Sequence, residues 1–167
     1  MAKLVILRGK YNTTETLYNV LNYVSDKSKA RGYIGAQNML VDSCFEQIMA
    51  VNRYFHSTTQ KTVIHFILTF ADYEYINPNE AVYIGYRICG LLPEYQIKFG
   101  VHQNTEHIHI HFAMSPTSLT DGHKFYFNNT NLYNFMSGLR AVLEPHEISA
   151  NYTYADTHNE SMFPEWL

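Results

Sequence analysis

Short apolar runs of strand length alternate along this chain with longer stretches in which apolar residues return every three or four positions. "KLVILR" (3–8) is rich in β-branched residues and reads as a strand, as do "TVIHFILTF" (62–70), "YQIKFGVH" (95–102) and "EHIHIHFAM" (106–114). In "NTTETLYNVLNYVSDKSKARG", Asn12 and Glu15 suit an N-cap and the third helical position, while Leu17, Val20, Leu21 and Val24 share one face. That helix should end near Asp26. A segment with Gly32 and Gly35 leads to a second helix from about Asp42 to Phe55, with Ser43 and Glu46 spaced as a capping box. "NPNE" predicts the sharpest helix start: Asn77 as N-cap, Pro78 at the first helical position and Glu80 at the third, with the helix running to about Leu92. "DGHKFYF" reads as a turn and short strand, and "NTNLYNFMSGLRAVLEPH" as a last helix stopping before Pro145. From Ser149 the chain is polar and aromatic without a clear period.

Only a few polar residues separate the strands 95–102 and 106–114, so the simplest connection is an antiparallel hairpin. Strands and helices alternate elsewhere. The fold class that follows is α+β, a largely antiparallel central sheet with helices packed on one face and the other face open. No internal repeat or linker interrupts it. One domain over residues 1–148 is expected, with 149–167 as a tail packed on it.

The length of 167 residues and a hydrophobic fraction of 46% suit one domain with a real core. No run of 18 apolar residues occurs, and the apolar part of "MAKLVILRGK" is short for a signal-peptide core, so a cytoplasmic protein is expected. Cys44 and Cys89 both lie in apolar helical patterns, where buried reduced thiols are expected. A net charge of −3 argues against binding nucleic acid through bulk charge. Charge can still be local: Arg8, Lys10, Lys27, Lys29 and Arg31 face only Glu15 and Asp26 in residues 8–31, which predicts a basic end of the molecule.

The histidines carry the candidate chemistry. Side chains alternate along a strand, so Ile108, Ile110 and Phe112 point to the covered face and His107, His109 and His111 to the open one. The hairpin brings His102 beside them. Four imidazoles are thus candidates for about three ligand positions of a metal that keeps coordination sites open. His65, with Ile67 and Thr69, falls on the same open face as either a structural residue or part of the site. His56, His123, His146 and His158 show no clustering.

His102, six intervening residues, then His109-Ile110-His111 resembles the third motif of the relaxases, the mobilisation nucleases of the HUH endonuclease superfamily. Other segments agree in order. "LNYVSDKSKARG" is similar to the family's tyrosine motif, "VIHFILTF" to its central strand, and "SLTDGHKFYF" to the segment after the histidines in relaxases of Gram-positive mobile elements. The resemblance covers residues 3–148 and is to the type whose catalytic tyrosine lies near the N-terminus. The chain departs from the pattern at Asn104, where many relatives have an acidic residue, and at Ser115, where many have Asn.

The resemblance implies a site: Tyr23 as nucleophile and His102, His109 and His111 as ligands of a divalent metal, Mn²⁺ or Mg²⁺. His107 and His65 would be DNA-contacting or outer residues of the site. Lys27, Lys29, Arg31 and Lys124 would neutralise the DNA backbone. The implied reaction is site- and strand-specific nicking of single-stranded origin-of-transfer DNA through a 5'-phosphotyrosine intermediate, which begins the mobilisation of a plasmid or conjugative element. Accessory relaxosome proteins and a type IV secretion coupling protein are the implied partners. Two other classes would use the same fold: a metal-dependent nuclease attacking with water, and an inactive DNA-binding relative.

Overall fold

A computed structural model describes residues 1–57 and 61–156. Its strands are β1 (Ala2–Leu7), β2 (Ile34–Gln37), β3 (Ile64–Thr69), β4 (Ile97–His102), β5 (His109–Met114) and β6 (Ala150–Ala155). The helices are α1 (Thr14–Val24), α2 (Lys27–Ala30), α3 (Cys44–Tyr54), α4 (Pro78–Cys89) and α5 (Asn129–Leu143). The strands form one sheet in the order β2-β4-β5-β3-β1-β6. Every pairing is antiparallel except that of β1 with β6.

Strand alternation divides the core in two. On one face, Phe66, Phe99, Ile110, Phe112 and Met114 pack against α4 and α5, through Ile84, Ile88, Phe135 and Leu139. The opposite face carries Val5, Leu7, Ile67 and Ala113 under Leu17, Val20 and Leu21 of α1 and Ile48 of α3. The histidine cluster lies on this second face. The fold class is therefore the α+β sheet expected, with helices α4 and α5 on one side and the histidines on the other. The second side is not open, however: α1 and α3 cover most of it, because their apolar stripes also need a surface to bury.

Local signals account for the element ends. Asn77 accepts from Glu80 N at 2.9 Å and Glu80 answers from Asn77 N at 3.1 Å, so "NPNE" builds a full capping box. At α1 the cap is Thr13, one residue after the expected Asn12, and its hydroxyl accepts from Thr16 N at 3.0 Å. Cys44 and Cys89 are buried free thiols in the two different cores. The expected short strand in "DGHKFYF" reduces to a single bridge between Thr117 and Lys124. Two strands carried no sequence signal: β2 on one edge and β6, formed by the tail without a clear period, on the other. His158 and the rest of 157–167 lie outside the described residues. Among the described residues no helix is long and apolar enough to cross a membrane.

Candidate active site

The β4–β5 hairpin sets His102 directly opposite His109, and β3 continues the row with Thr69 opposite His109. One nitrogen from each of His102, His109 and His111 lies within 4.8 Å of the others. Ring centroids of His102 and His111 are 4.1 Å apart, and those of His109 and His111 5.0 Å. The fourth candidate separates from the group. His107 precedes β5, and its ring turns away to pair with the Asp72 carboxylate.

Each imidazole of the trio is oriented through its other nitrogen, as metal-binding histidines generally are. His102 Nε2 donates to the Val24 carbonyl at 3.1 Å. His109 Nδ1 donates to the His107 carbonyl at 2.9 Å. His111 Nδ1 lies 3.0 Å from His65 Nε2, and His65 Nδ1 lies 3.3 Å from the Tyr11 hydroxyl. This leaves Nδ1 of His102 and Nε2 of His109 and His111 as the nitrogens for an ion. His102 Nδ1 is buried without a hydrogen-bond partner among the described residues, an arrangement that a bound ion would satisfy. Burial, with the neighbouring imidazoles adding to it, pushes His102 down to about 4 and His111 well below its ordinary range; burial also lowers His109. Neutral imidazole is the form that ligates. The donor set fits a divalent metal.

Gly100 explains how α1 reaches the site. A Cβ on Gly100 would stand 1.7 Å from the Val24 carbonyl oxygen, so only glycine lets the C-terminal end of α1 rest on the sheet beside His102. One residue before Val24, the Tyr23 ring lies 5.2 Å from the centroids of both His102 and His111 and 6.4 Å from that of His65. Tyr18 is on the exposed side of α1, against Phe45. After Tyr23 the chain turns into α2, capped by Asp26, which accepts from Ser28 N at 2.9 Å. The short helix carries Lys29 to 5.3 Å from the Tyr23 ring centroid, while Lys27 and Arg31 are exposed.

Two positions singled out in the sequence lie elsewhere. Lys124 bonds Ser57 and Thr117 beyond the far end of β5, so it does not join the other cations. Ser115 is buried at that same end, its N–H donating to the Gln96 carbonyl at 2.9 Å. It is thus remote from the cluster. Tyr11, by contrast, is not assigned to the site by the sequence, because among fourteen tyrosines nothing local marks the one that meets His65.

The chain belongs to the relaxase family: the model described as "Relaxase: MobA/VirD2-like, nuclease domain" matches residues 18–147. The match contains Tyr23 and all three histidines. Family membership carries a general DNA-nicking nuclease activity that depends on metal. Comparison with curated proteins and with solved structures finds no match.

Proposed function

We propose that this chain is a relaxase that nicks single-stranded origin-of-transfer DNA with Tyr23, leaving a 5'-phosphotyrosine and a free 3'-hydroxyl. The observation that carries the reading is the Tyr23 ring packed 5.2 Å from two of the three clustered histidines. Fourteen tyrosines are present, and this one shares the end of α1 whose carbonyl orients His102.

His102, His109 and His111 would hold the ion, Mn²⁺ or Mg²⁺, which would supply Lewis-acid polarisation of a phosphate oxygen. Tyr23 supplies the attacking oxygen: its O–P bond forms, the P–O3' bond breaks, and the phenol gives up its proton as the departing oxygen gains one. A phenol of pKa about 10 is a weak nucleophile at neutral pH. The Lys29 ammonium, 5.3 Å from the ring centroid, favours the negative charge that develops on its oxygen. Lys27 and Arg31 flank the same turn and hold adjoining phosphates. His65 and Tyr11 keep the His111 ring aligned. Because the covalent link conserves the phosphodiester, rejoining needs no nucleotide hydrolysis.

The test is incubation of the chain with Mn²⁺ and labelled single-stranded DNA from the neighbouring locus, followed by denaturing gel electrophoresis and peptide mapping. A protein–DNA adduct on Tyr23 is expected, and Tyr23→Phe should lower its formation about a thousandfold or more while leaving DNA affinity almost unchanged. An adduct on another tyrosine would move the nucleophile. Cleavage without any adduct would make water the attacking group, and binding without cleavage would make the chain a DNA-binding relative.

A further inference from the structure

On the side of the histidine row away from α2, the same line of residues continues across the sheet. His102 pairs with His109, His109 with Thr69, and Thr69 with Lys3, one residue from each of four strands on one face. At about 4.8 Å per strand, this row spans about 14 Å across the strands. Lys29 lies over Tyr23 at one end of it and Lys3 ends the other. Beside Lys3 and Thr69 is a cavity of 270 Å³, walled by Phe70, Asp72, Tyr73 and His107. It is separated from the metal ligands by a single residue, since the His107 carbonyl orients His109.

We propose that this cavity is a subsite for the base of an unpaired nucleotide beside the scissile phosphate, and that the DNA strand crosses the sheet along the row from Lys29 to Lys3. The inference rests on the nicking function proposed above.

Three features favour a base over a phosphate. Asp72, one oxygen of which pairs with His107, presents its other carboxylate oxygen at the cavity, which repels phosphate but accepts from an exocyclic amine such as that of cytosine. Tyr73 supplies exposed aromatic surface, and stacking on such a ring is the general means of holding an unpaired base. The volume is just below the range of pockets for drug-sized ligands. Tyr73 is 67% and Tyr75 93% exposed, so large rings face solvent on the loop that walls the cavity. The loop is already fixed. Glu74 accepts from Ala71 N at 2.8 Å and pairs with the Met1 amino group at 2.7 Å, and that amino group also donates to the Tyr73 hydroxyl. A platform ordered before binding loses little entropy when a base arrives. Lys3, exposed on the rim, supplies the charge for the phosphate attached to that base.

The experiment measures equilibrium binding of fluorescein-labelled oligodeoxycytidine and oligothymidine by anisotropy, with Mn²⁺ present and Tyr23→Phe as the parent. The parent should prefer the cytidine strand about fivefold, the worth of one hydrogen bond. Tyr73→Ala should weaken both strands roughly tenfold. Lys3→Ala should weaken both and reduce the slope of log affinity against log salt by about 0.7. Asp72→Asn should bring the two affinities together, because an amide serves either base. Thermal melting of each variant separates these effects from misfolding. If the three variants bind as the parent does while the combined alanine replacement of Lys27, Lys29 and Arg31 loses binding, the subsite is overturned and the nicking function stands. If the parent binds neither strand, both fail.

Discussion

The two faces of β5 are equally buried and chemically opposite. Ile110, Phe112 and Met114 point one way, His109, His111 and Ala113 the other, and all six are buried. On the first face the Phe112 ring stacks on Phe66 at 4.7 Å, within a continuous apolar core. On the second, His111 lies among the rings of His65, His102, His109 and Tyr23. Burial alone therefore does not distinguish core from site. The distinction lies in hydrogen bonding: the apolar face needs none, whereas the imidazole face needs a relay, a helix-end carbonyl and an ion to satisfy its nitrogens. One face supplies stability. The other uses some of it to keep buried imidazoles neutral and in place, a cost that a bound ion would offset.

The largest expected effects test that division. His109→Ala and His111→Ala should abolish both metal content and cleavage, yet cost little stability in the metal-free protein. Phe112→Ala should cost about 3–5 kcal/mol, measured by urea unfolding, and lose metal only where the protein unfolds. Equal unfolding costs for the histidine and phenylalanine variants would make the histidines core residues.

Gly100→Ala sharpens the contact between the sheet and α1. A methyl 1.7 Å from the Val24 oxygen must push away the helix end bearing Tyr23 and break its bond to His102. Cleavage should fall about a hundredfold, the cost of an ångström-scale misplacement, with some metal retained. Wild-type cleavage rates would mean that the position of α1 is unimportant to the chemistry.

A smaller effect concerns acid. Burial lowers His65 to about 3 and His102 to about 4, from an ordinary 6.5. The unfolded chain gains protons as the pH falls through about 6.5, while the folded chain resists until about 4 and then 3. Metal-free stability should thus be full above about 6.5 and decline as the pH drops through this window. Urea midpoints at several pH values check this, and His65→Gln should make the decline shallower. A flat profile would mean that these imidazoles are not held neutral by burial.

How much of this was legible in the sequence follows from how local each signal is. The capping box at Asn77 and the β4–β5 hairpin depend on neighbours within a few residues, and both were readable. So was the proximity of His102 to His109, which the hairpin alone dictates. The burial of the histidine face was not, because Leu17, Val20, Leu21 and Val24 declare that α1 packs without declaring on which side. β6 was hidden for a related reason. It is an edge strand pairing in parallel with β1 from the other end of the chain, and its alternation of Tyr152 and Tyr154 with small polar residues lacks the apolar content of an interior strand. Tyr11 reaches His65 only through the tertiary fold.

The smallest expected effect is that of His107→Ala, and it tests whether regular alternation or hydrogen bonding defines the site. By alternation alone, His107, His109 and His111 are equivalent. By hydrogen bonding they are not: His107 contributes its carbonyl, which accepts from His109 Nδ1 at 2.9 Å, and alanine keeps that carbonyl. Its ring faces Asp72, outside the ligand trio. His107→Ala should therefore keep its metal and most of its cleavage, with a change confined to DNA affinity. His65→Phe gives the scale, since removing a residue that orients a ligand typically costs 10–100-fold in metal affinity. Metal content measured on purified His107→Ala, His65→Phe and His102→Ala should rank them in that order, from most to least. Loss of metal from His107→Ala with retention in His102→Ala would place the ligands along one strand instead of across the hairpin.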